Sequence, residues 1–308
     1  MMFSKAKRQA LAQVLEQGAD PAAVVIEGRS PWADARRRFL KNRAAVGSLL
    51  ILLVSAVLIV AGPWILPHSY DDTDWNALNL GPTLQDWHLF GTDDLGRDLL
   101  VRTLIGGRIS FMVGILGTVV SVVIGVSWGA ISGFFGGKID ALMMRFVDVM
   151  YALPFMLFAI LLMTFFGRNL VLMFVALGAI SWLDMARIVR GQTLSLKSKE
   201  FVEAAHAIGV SRKAIIFRHI VPNLLGVVVI YATVTIPSVI LTESVLSFLG
   251  LGVQEPMTSW GVLVQEGTQK MDAAPWLLLI PALFLSTTLY CANYVGDGLR
   301  DALDPKDR

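Results

Sequence analysis

Side chains able to ligate a metal or attack a substrate are sparse in this chain. His68, His88, His206 and His219 are scattered, and none stands beside a second histidine or a carboxylate at the spacing by which one helix face grips an ion. Cys291 is the single cysteine and lies in an apolar run, so neither a disulfide framework nor a thiolate cluster can form. No HExxH pattern occurs and no histidine falls inside a long apolar run, so GVSWG at 125–129, which has the letters of GxSxG, lacks the histidine base that an intramembrane hydrolase needs. A phosphate-binding loop requires a glycine-rich turn ending in Gly, Lys and a hydroxyl residue. "SGFFGGKID" comes nearest, with Ser132 where the first glycine belongs and Ile139 where the hydroxyl belongs. The chain is therefore expected to have no catalytic, cofactor-binding or metal-ligating residue and not to be an enzyme.

The chemistry in "EAAHAIGVSRKAIIFRHIVPN", residues 203 to 223, is that of contact. Ser198 can cap a helix whose first turn carries Glu200 and Glu203, favourable near the positive end of the helix dipole. Phe201, Ala204, Ala205 and Ile208 supply a small apolar stripe, and the two alanines leave room for a partner to approach the backbone. Gly209 suits a left-handed stop. Ser211 is placed to cap a second helix through Arg212, Ala214, Ile215 and Phe217, and Pro222 marks its boundary with the next apolar run. A plain amphipathic loop resting on a membrane is the alternative.

The elements that hold this segment are apolar. Of 308 residues 55% are hydrophobic and 16% charged, with mean hydropathy +0.63, which fits an all-α polytopic membrane protein. Charge-free runs long enough to cross ~30 Å of hydrocarbon, about 20 residues as helix, occur at 44–66, 109–137 and 273–296. Three further spans are read at 149–167, which carries Pro154, at 169–183 if it continues towards Arg187, and at 223–242, which carries Pro237 and runs up to Glu243. Six helices is the simplest count, because a helix satisfies its own backbone in lipid.

Orientation follows the basic residues. Arg36, Arg37, Arg38, Lys41 and Arg43 precede the first span, and Lys197, Lys199, Arg212, Lys213 and Arg218 lie in the 191–222 loop, whereas Asp71, Asp72, Asp74, Asp86, Asp93 and Asp94 follow span one. Both termini and the loop are thus expected to be cytoplasmic. The organisation reads as a tail at 1–43, a span at 44–66, an outer segment at 67–108, a core at 109–296 with the loop at 191–222, and a tail at 297–308. A cleaved signal peptide is not expected, since a long polar tail precedes the first apolar run. In "PWADARRRFLKNR", Trp32, Phe39 and Leu40 sit among basic residues as in an interfacial helix. A positive-inside anchor is the simpler reading of that tail than a regulatory or nucleic-acid role. Gly125, Gly129 and Gly133 recur every four residues as a packing seam. Asp184 and Arg187 read as an interfacial i, i+3 pair, and Asp148 and Glu243 as candidate gate or pore residues, Glu243 alternatively as a contact with a partner. "GTDDLGRDLL" lacks the ligand spacing of a calcium loop and reads as part of a folded cap.

The 203–223 stretch resembles the EAA loop of ABC importer permeases, EAA-x3-G-x9-I-x-L-P. Glu203, Ala204, Ala205, Gly209 and Pro222 fall on it, while His219 and Val221 replace its Ile and Leu. "FGTDDLGRDLLVRTLIGGRIS", "GGKIDALMMRFVD", "SWLDMARIVRGQTLSLKSKEF", "LSFLGLGVQEP" and "GDGLRDALDPKDR" extend the resemblance over nearly the whole chain. It is to the C-type permeases of dipeptide and oligopeptide importers, most of all the oligopeptide branch. The resemblance implies a type I ABC importer permease fold in a bacterial inner membrane. It also implies a homologous second permease, two ATPase subunits that carry ATP and magnesium, and a periplasmic or lipid-anchored binding protein touched by the outer cap. The loop residues would then couple to an ATPase. Dipeptide, nickel chelate or another small solute are the alternative cargoes. A secondary transporter is the rival class, marked by inverted repeats and broken helices. Pro154 and Pro237 offer the breaks, but no repeat is visible and the EAA loop would have no purpose there.

Overall fold

The computed structural model describes residues 31–167 and 170–303. Residues 1–30 of the N-terminal tail, the 168–169 stretch at the start of the fourth expected span, and 304–308 of the C-terminal tail lie outside the described residues. Among those described there are helices and one isolated bridge, Thr92 to Asp98, but no strand. In chain order the helices are α1 (Pro31–Lys41), α2 (Arg43–Ile65), α3 (Leu99–Phe135), α4 (Gly137–Ala152), α5 (Phe155–Phe166), α6 (Leu170–Leu196), α7 (Glu200–Ala207), α8 (Arg212–Phe248), α9 (Trp260–Gln269) and α10 (Trp276–Leu303).

Among the described residues, four helices, α2, α3, α8 and α10, are long and apolar enough to cross a membrane, and five if the bent pair α4 and α5 forms one span. The third expected span, 149–167, is broken within that pair. Pro154 cannot continue a helix, the axis turns by 78°, and the 12 apolar residues Phe155–Phe166 reach only about 18 Å. The second span also differs, since its helix begins at Leu99, ten residues before the expected 109. The charged side chains that interrupt the apolar window there have partners. Arg102 is 1% exposed and is paired with Asp93 at 2.5 Å and Glu266 at 2.9 Å. Arg108 donates to the carbonyls of Ile59 and Val60 at 3.3 and 3.1 Å. Pro63 has no N–H to give to Ile59, four residues earlier, so Arg108 fills a need that α2 creates in itself.

Helix α3 is central and touches α2, α4, α6, α8, α9 and α10. Its tightest neighbour is α6, along the glycine seam. A Cβ at Gly129 would collide with the backbone of Ala186 and Arg190, and one at Gly133 would sit 2.8 Å from the Arg190 carbonyl. Between helices in lipid no water is expelled, so close van der Waals packing of backbones supplies the adhesion.

The two ends of the bundle are distinct. Leu99 at the start of α3 shares a buried cluster with Ala274 and Leu277 at the start of α10, beneath the outer segment. At the other end, the Lys197 ammonium donates to Gly133 O near the end of α3 (3.1 Å), and the last turns of α10 pack on α1. The basic helix α1 and the basic loop therefore share one end, opposite the acidic segment.

Candidate functional site

The EAA segment folds as a short helix, a glycine turn and a second helix. At the turn, Gly209 has φ +80°, Val210 N–H reaches Ala205 O at 3.0 Å and Gly209 N–H reaches His206 O at 3.1 Å. This pair of bonds closes the last carbonyls of α7 around a left-handed residue. Ser211 then caps the next helix, accepting from Ala214 N–H at 3.4 Å. Ser198 does not cap α7, contrary to what its position suggests. The residue flanking that helix is Lys199, without a side-chain cap, and Ser198 Oγ donates to Ser195 O at 3.2 Å.

The expected apolar stripe divides in two. Val202 and Ala205 point inward and are buried with Ala130 of α3, Met185 and Val189 of α6, and Ile215, Ile216, Ile220 and Leu224 of α8. Phe201, Ala204 and Ile208, spaced i, i+3 and i+7, face out, and Ile208 is 80% exposed. Glu203, Gly209 and Pro222 are exposed or partly so. The loop thus has an anchored face and an open one, and of the five residues singled out by pattern only Ala205 belongs to the anchor.

Pro222 does not end the second helix. Arg212–Phe248 runs as one element of 37 residues, with a π turn at Ile216–Ile220 in which Val221 N–H reaches back to Ile216 O. The wider turn lets a residue lacking an N–H come next without breaking the axis. The loop's second helix is therefore continuous with a membrane-crossing helix.

Cross-links around this end tie the loop to α3, α4 and α6. Arg190 grips Asp140 with two bonds, Nε at 2.5 Å and Nη2 at 2.6 Å, and Ser132 Oγ donates to the same carboxylate at 2.5 Å. His206 stacks on Phe134 with ring centroids 5.8 Å apart. Sequence reading missed Asp140 and Arg190, although a charge set among apolar helical residues was the available signal. Arg187 pairs with Asp148 of α4 at 2.8 Å, replacing the expected pair with Asp184, which instead accepts from Tyr151 OH. Arg187 also lies 3.9 Å over the Tyr151 ring.

Glu243, expected at a pore or a partner contact, lies inside the subunit with no exposure. Its carboxylate accepts from Ser247 Oγ at 2.6 Å, Ser110 Oγ at 3.2 Å and Ser244 Oγ at 3.4 Å, and Ser110 Oγ accepts in turn from Trp260 N–H at 3.3 Å. It joins α8, α3 and the start of α9.

At the opposite end the outer segment is folded. Asp98 caps α3 by accepting from Val101 N–H at 2.9 Å, and its other oxygen meets His88 Nδ1 at 2.9 Å. His68 lies close by, its ring stacked on that of His88 with centroids 4.4 Å apart and planes 18° from parallel. The fold thus brings His68, His88 and Asp98, scattered in the sequence, into one group whose ligand atoms lie within 4.8 Å of one another. Asp93, Arg97, Arg102, Glu255 and Glu266 line a cleft of about 240 Å³. Burial works against the Arg97 charge, but bonds to Asp93 and Glu255 outweigh it and raise the guanidinium above its ordinary pKa.

Comparison with known proteins agrees with this geometry. Residues 104–308 match the family of binding-protein-dependent transport system inner membrane components, and residues 30–82 match the N-terminal TM domain of oligopeptide transport permease C. The oligopeptide transport system permease protein OppC of Haemophilus influenzae is 59% identical over 298 residues, 96% of each chain. The protein of that name from Escherichia coli K12 is 56% identical over 308 residues, all of both chains. The dipeptide transport system permease protein DppC of Bacillus subtilis is 45% identical, over 89% of this chain and 86% of its own. Among solved structures, the MetNI methionine ABC transporter in inward-facing conformations aligns with TM-score 0.54 at 17% identity. It covers 66% of this chain and 96% of the other, a likeness of fold.

Proposed function

Because the chain belongs to the family of binding-protein-dependent transport system inner membrane components, we propose that it is the C-type permease subunit of an ATP-driven oligopeptide importer. The observation that carries this reading is the 59% identity, across 96% of both chains, with a protein named for oligopeptide transport. The subunit is multi-pass in a bacterial inner membrane and forms the translocation path with a homologous second permease. A periplasmic or lipid-anchored binding protein delivers peptide to the acidic cap. ATP and magnesium act on two separate ATPase subunits.

In this mechanism the open face of α7, with Phe201, Glu203, Ala204 and Ile208, seats against an ATPase. Val202 and Ala205 hold that face to α3 and α6. Movement of the ATPase passes into α8 through the Gly209 turn and the packing of Val202 and Ala205 on Ile215, Ile216 and Ile220, then along one helix from Arg212 to Phe248, and into α3 and α6 through Lys197 and the Asp140–Arg190 clamp. The chain itself makes and breaks no bond.

The test is to purify the tagged chain from its native membrane in mild detergent, identify its companions by mass, and measure uptake of a toxic tripeptide and a toxic dipeptide in a strain lacking it. Two ATPases, a second permease and selective resistance to the tripeptide are expected. A chain that purifies alone while uptake collapses with the ion gradient would make it a secondary transporter. Selective resistance to the dipeptide would accord with the 45% identical dipeptide relative instead.

A further inference from the structure

Helix α1 has two faces, and only one is used within the chain. Ala35 and Phe39 are buried, 7% and 9% exposed, against Ala45 of α2 and Ala302 of α10, with Val295, Leu299 and Leu303 packed around them. Gly298 makes that approach possible, since a Cβ there would strike Ala45 and lie 3.3 Å from the Phe39 ring. At ~100° per residue the opposite face is made by Ala33, Arg36, Arg37, Leu40 and Lys41, all exposed, with Leu40 lying between Arg36 and Arg37 around the helix. Leu40, 58% exposed, sits within this basic face, Trp32, 53% exposed, lies at its margin between Phe39 and Arg36, and the half-buried Asp34 lies beside Lys41.

Its place is fixed by one residue. Asn42 ends α1 with its N–H on Phe39 O at 3.0 Å and starts α2 by accepting from Ala45 N–H at 3.1 Å. Leu50, Ile51, Leu53 and Val54, about two turns into α2, are exposed and apolar. The α1 face is therefore held beside the first turns of a membrane-crossing helix, at the depth where headgroups lie. Exposed Arg36, Arg37, Lys41 and Arg43 ring an apolar centre there.

We propose that this face of α1 is a binding surface for anionic phospholipid headgroups, clamping the end of α10 to the membrane surface. Charge complementarity selects phosphate-bearing anionic lipid, and the exposed Leu40 among the cations, with exposed Trp32 at their margin, selects a lipid interface over an acidic protein surface, which would leave both apolar side chains unused. Each basic side chain near an anionic membrane is worth about five-fold in association. Loss of Arg36, Arg37 and Lys41 together should then weaken headgroup enrichment by about one hundred-fold at low salt, and by at least about ten-fold once screening is included.

The experiment places the chain, with whatever subunits it brings from its native membrane, in nanodiscs of phosphatidylcholine doped with either photoactivatable phosphatidylglycerol or photoactivatable phosphatidylcholine. Cross-links to residues 32–43 are mapped by mass. Phosphatidylglycerol should be captured at least about ten-fold over phosphatidylcholine. The preference should vanish at high salt and in Arg36→Gln/Arg37→Gln/Lys41→Gln, whose changes are all on the exposed face and leave Ala35 and Phe39 in place. A second variant, Leu40→Gln, should lower capture of both lipids while keeping their ratio. Equal capture of the two lipids by the unaltered chain, or a preference that survives the triple change, overturns the proposal. So does capture of a neighbouring protein subunit by a photoreactive residue at position 40.

Discussion

Replacing Gly209 in a graded series tests whether the turn after α7 holds the docking face in place. A Cβ added at Gly209 meets no atom within 4 Å, so substitutions act through the backbone alone. At φ +80° an alanine costs about 1–2 kcal/mol and asparagine less, because its short polar side chain tolerates the left-handed region. Valine, branched at Cβ, costs more than alanine. Proline is incompatible with that φ and also removes the N–H that reaches His206 O at 3.1 Å. If the turn's closed form is the one that docks, a cost of about 1–2 kcal/mol lowers apparent ATPase affinity about 5- to 30-fold. The assay is retention of ATPase subunits on the tagged chain across a dilution series, with peptide-stimulated ATP hydrolysis in parallel. The expected order is Gly, Asn, Ala, Val, Pro, with thermal unfolding of the membrane-embedded body unchanged. Retention by Gly209→Val equal to the original chain, or loss by Gly209→Asn equal to Gly209→Pro, would refute the reasoning.

Gly129→Leu should separate α3 from α6, because its side chain meets the backbone of Ala186 and Arg190. A loss of about 1–3 kcal/mol or failure to assemble is expected, read by thermal unfolding in detergent, against Gly191→Ala, which has open space and should be neutral or slightly stabilising. Arg102→Gln takes from buried Asp93 one of its two guanidinium partners, Arg97 remaining, and leaves the half-buried Glu266 without its own. A cost of about 1–3 kcal/mol should show as accelerated proteolysis within 67–98, while the ATPases stay bound at the far end. Glu243→Gln should keep most of the serine bonds and preserve peptide uptake. Glu243→Ala should orphan the serine hydroxyls and lower stability by about 1–3 kcal/mol, with peptide selectivity unchanged in whatever transport remains. A change of selectivity in Glu243→Gln would mean the carboxylate meets cargo after all.

Sequence makes legible what neighbours in the chain decide. Gly209 and Ser211 act on atoms one to four residues away, and the glycines at 125, 129 and 133 announce a seam whichever helix fills it. Pairings across the fold stay hidden. Asp184 and Arg187 stand one turn apart, yet each bonds to α4, because Tyr151 and Asp148 present partners that spacing on α6 cannot reveal. Glu243 reads from sequence as a pore or partner residue because a carboxylate in lipid demands compensation, and the serines that provide it include Ser110, 133 residues away. The start of α3 is masked for the same reason. Arg102 spoils an apolar window until Glu266, 164 residues later, is folded against it. The division of α7 into Val202/Ala205 and Phe201/Ile208 needs the position of α3 and α6, since pattern alone puts Phe201, Ala204, Ala205 and Ile208 on one broad stripe.

The π turn at Ile216–Ile220 also fixes an angle. In an α-helix each residue is ~100° of rotation and about 1.5 Å of advance, and the wide turn offsets the two ends of α8 from the phase a regular helix would give them. At one end Ile215, Ile216 and Ile220 must face Val189 and Ala205; at the other Glu243 must face Ser110. Removing a single residue from this turn would satisfy either end and misdirect the other. The segment between Ser211 and Pro222 is thus held to one length from both directions, as the timing of a camshaft is held by the keyway that joins it to its gear.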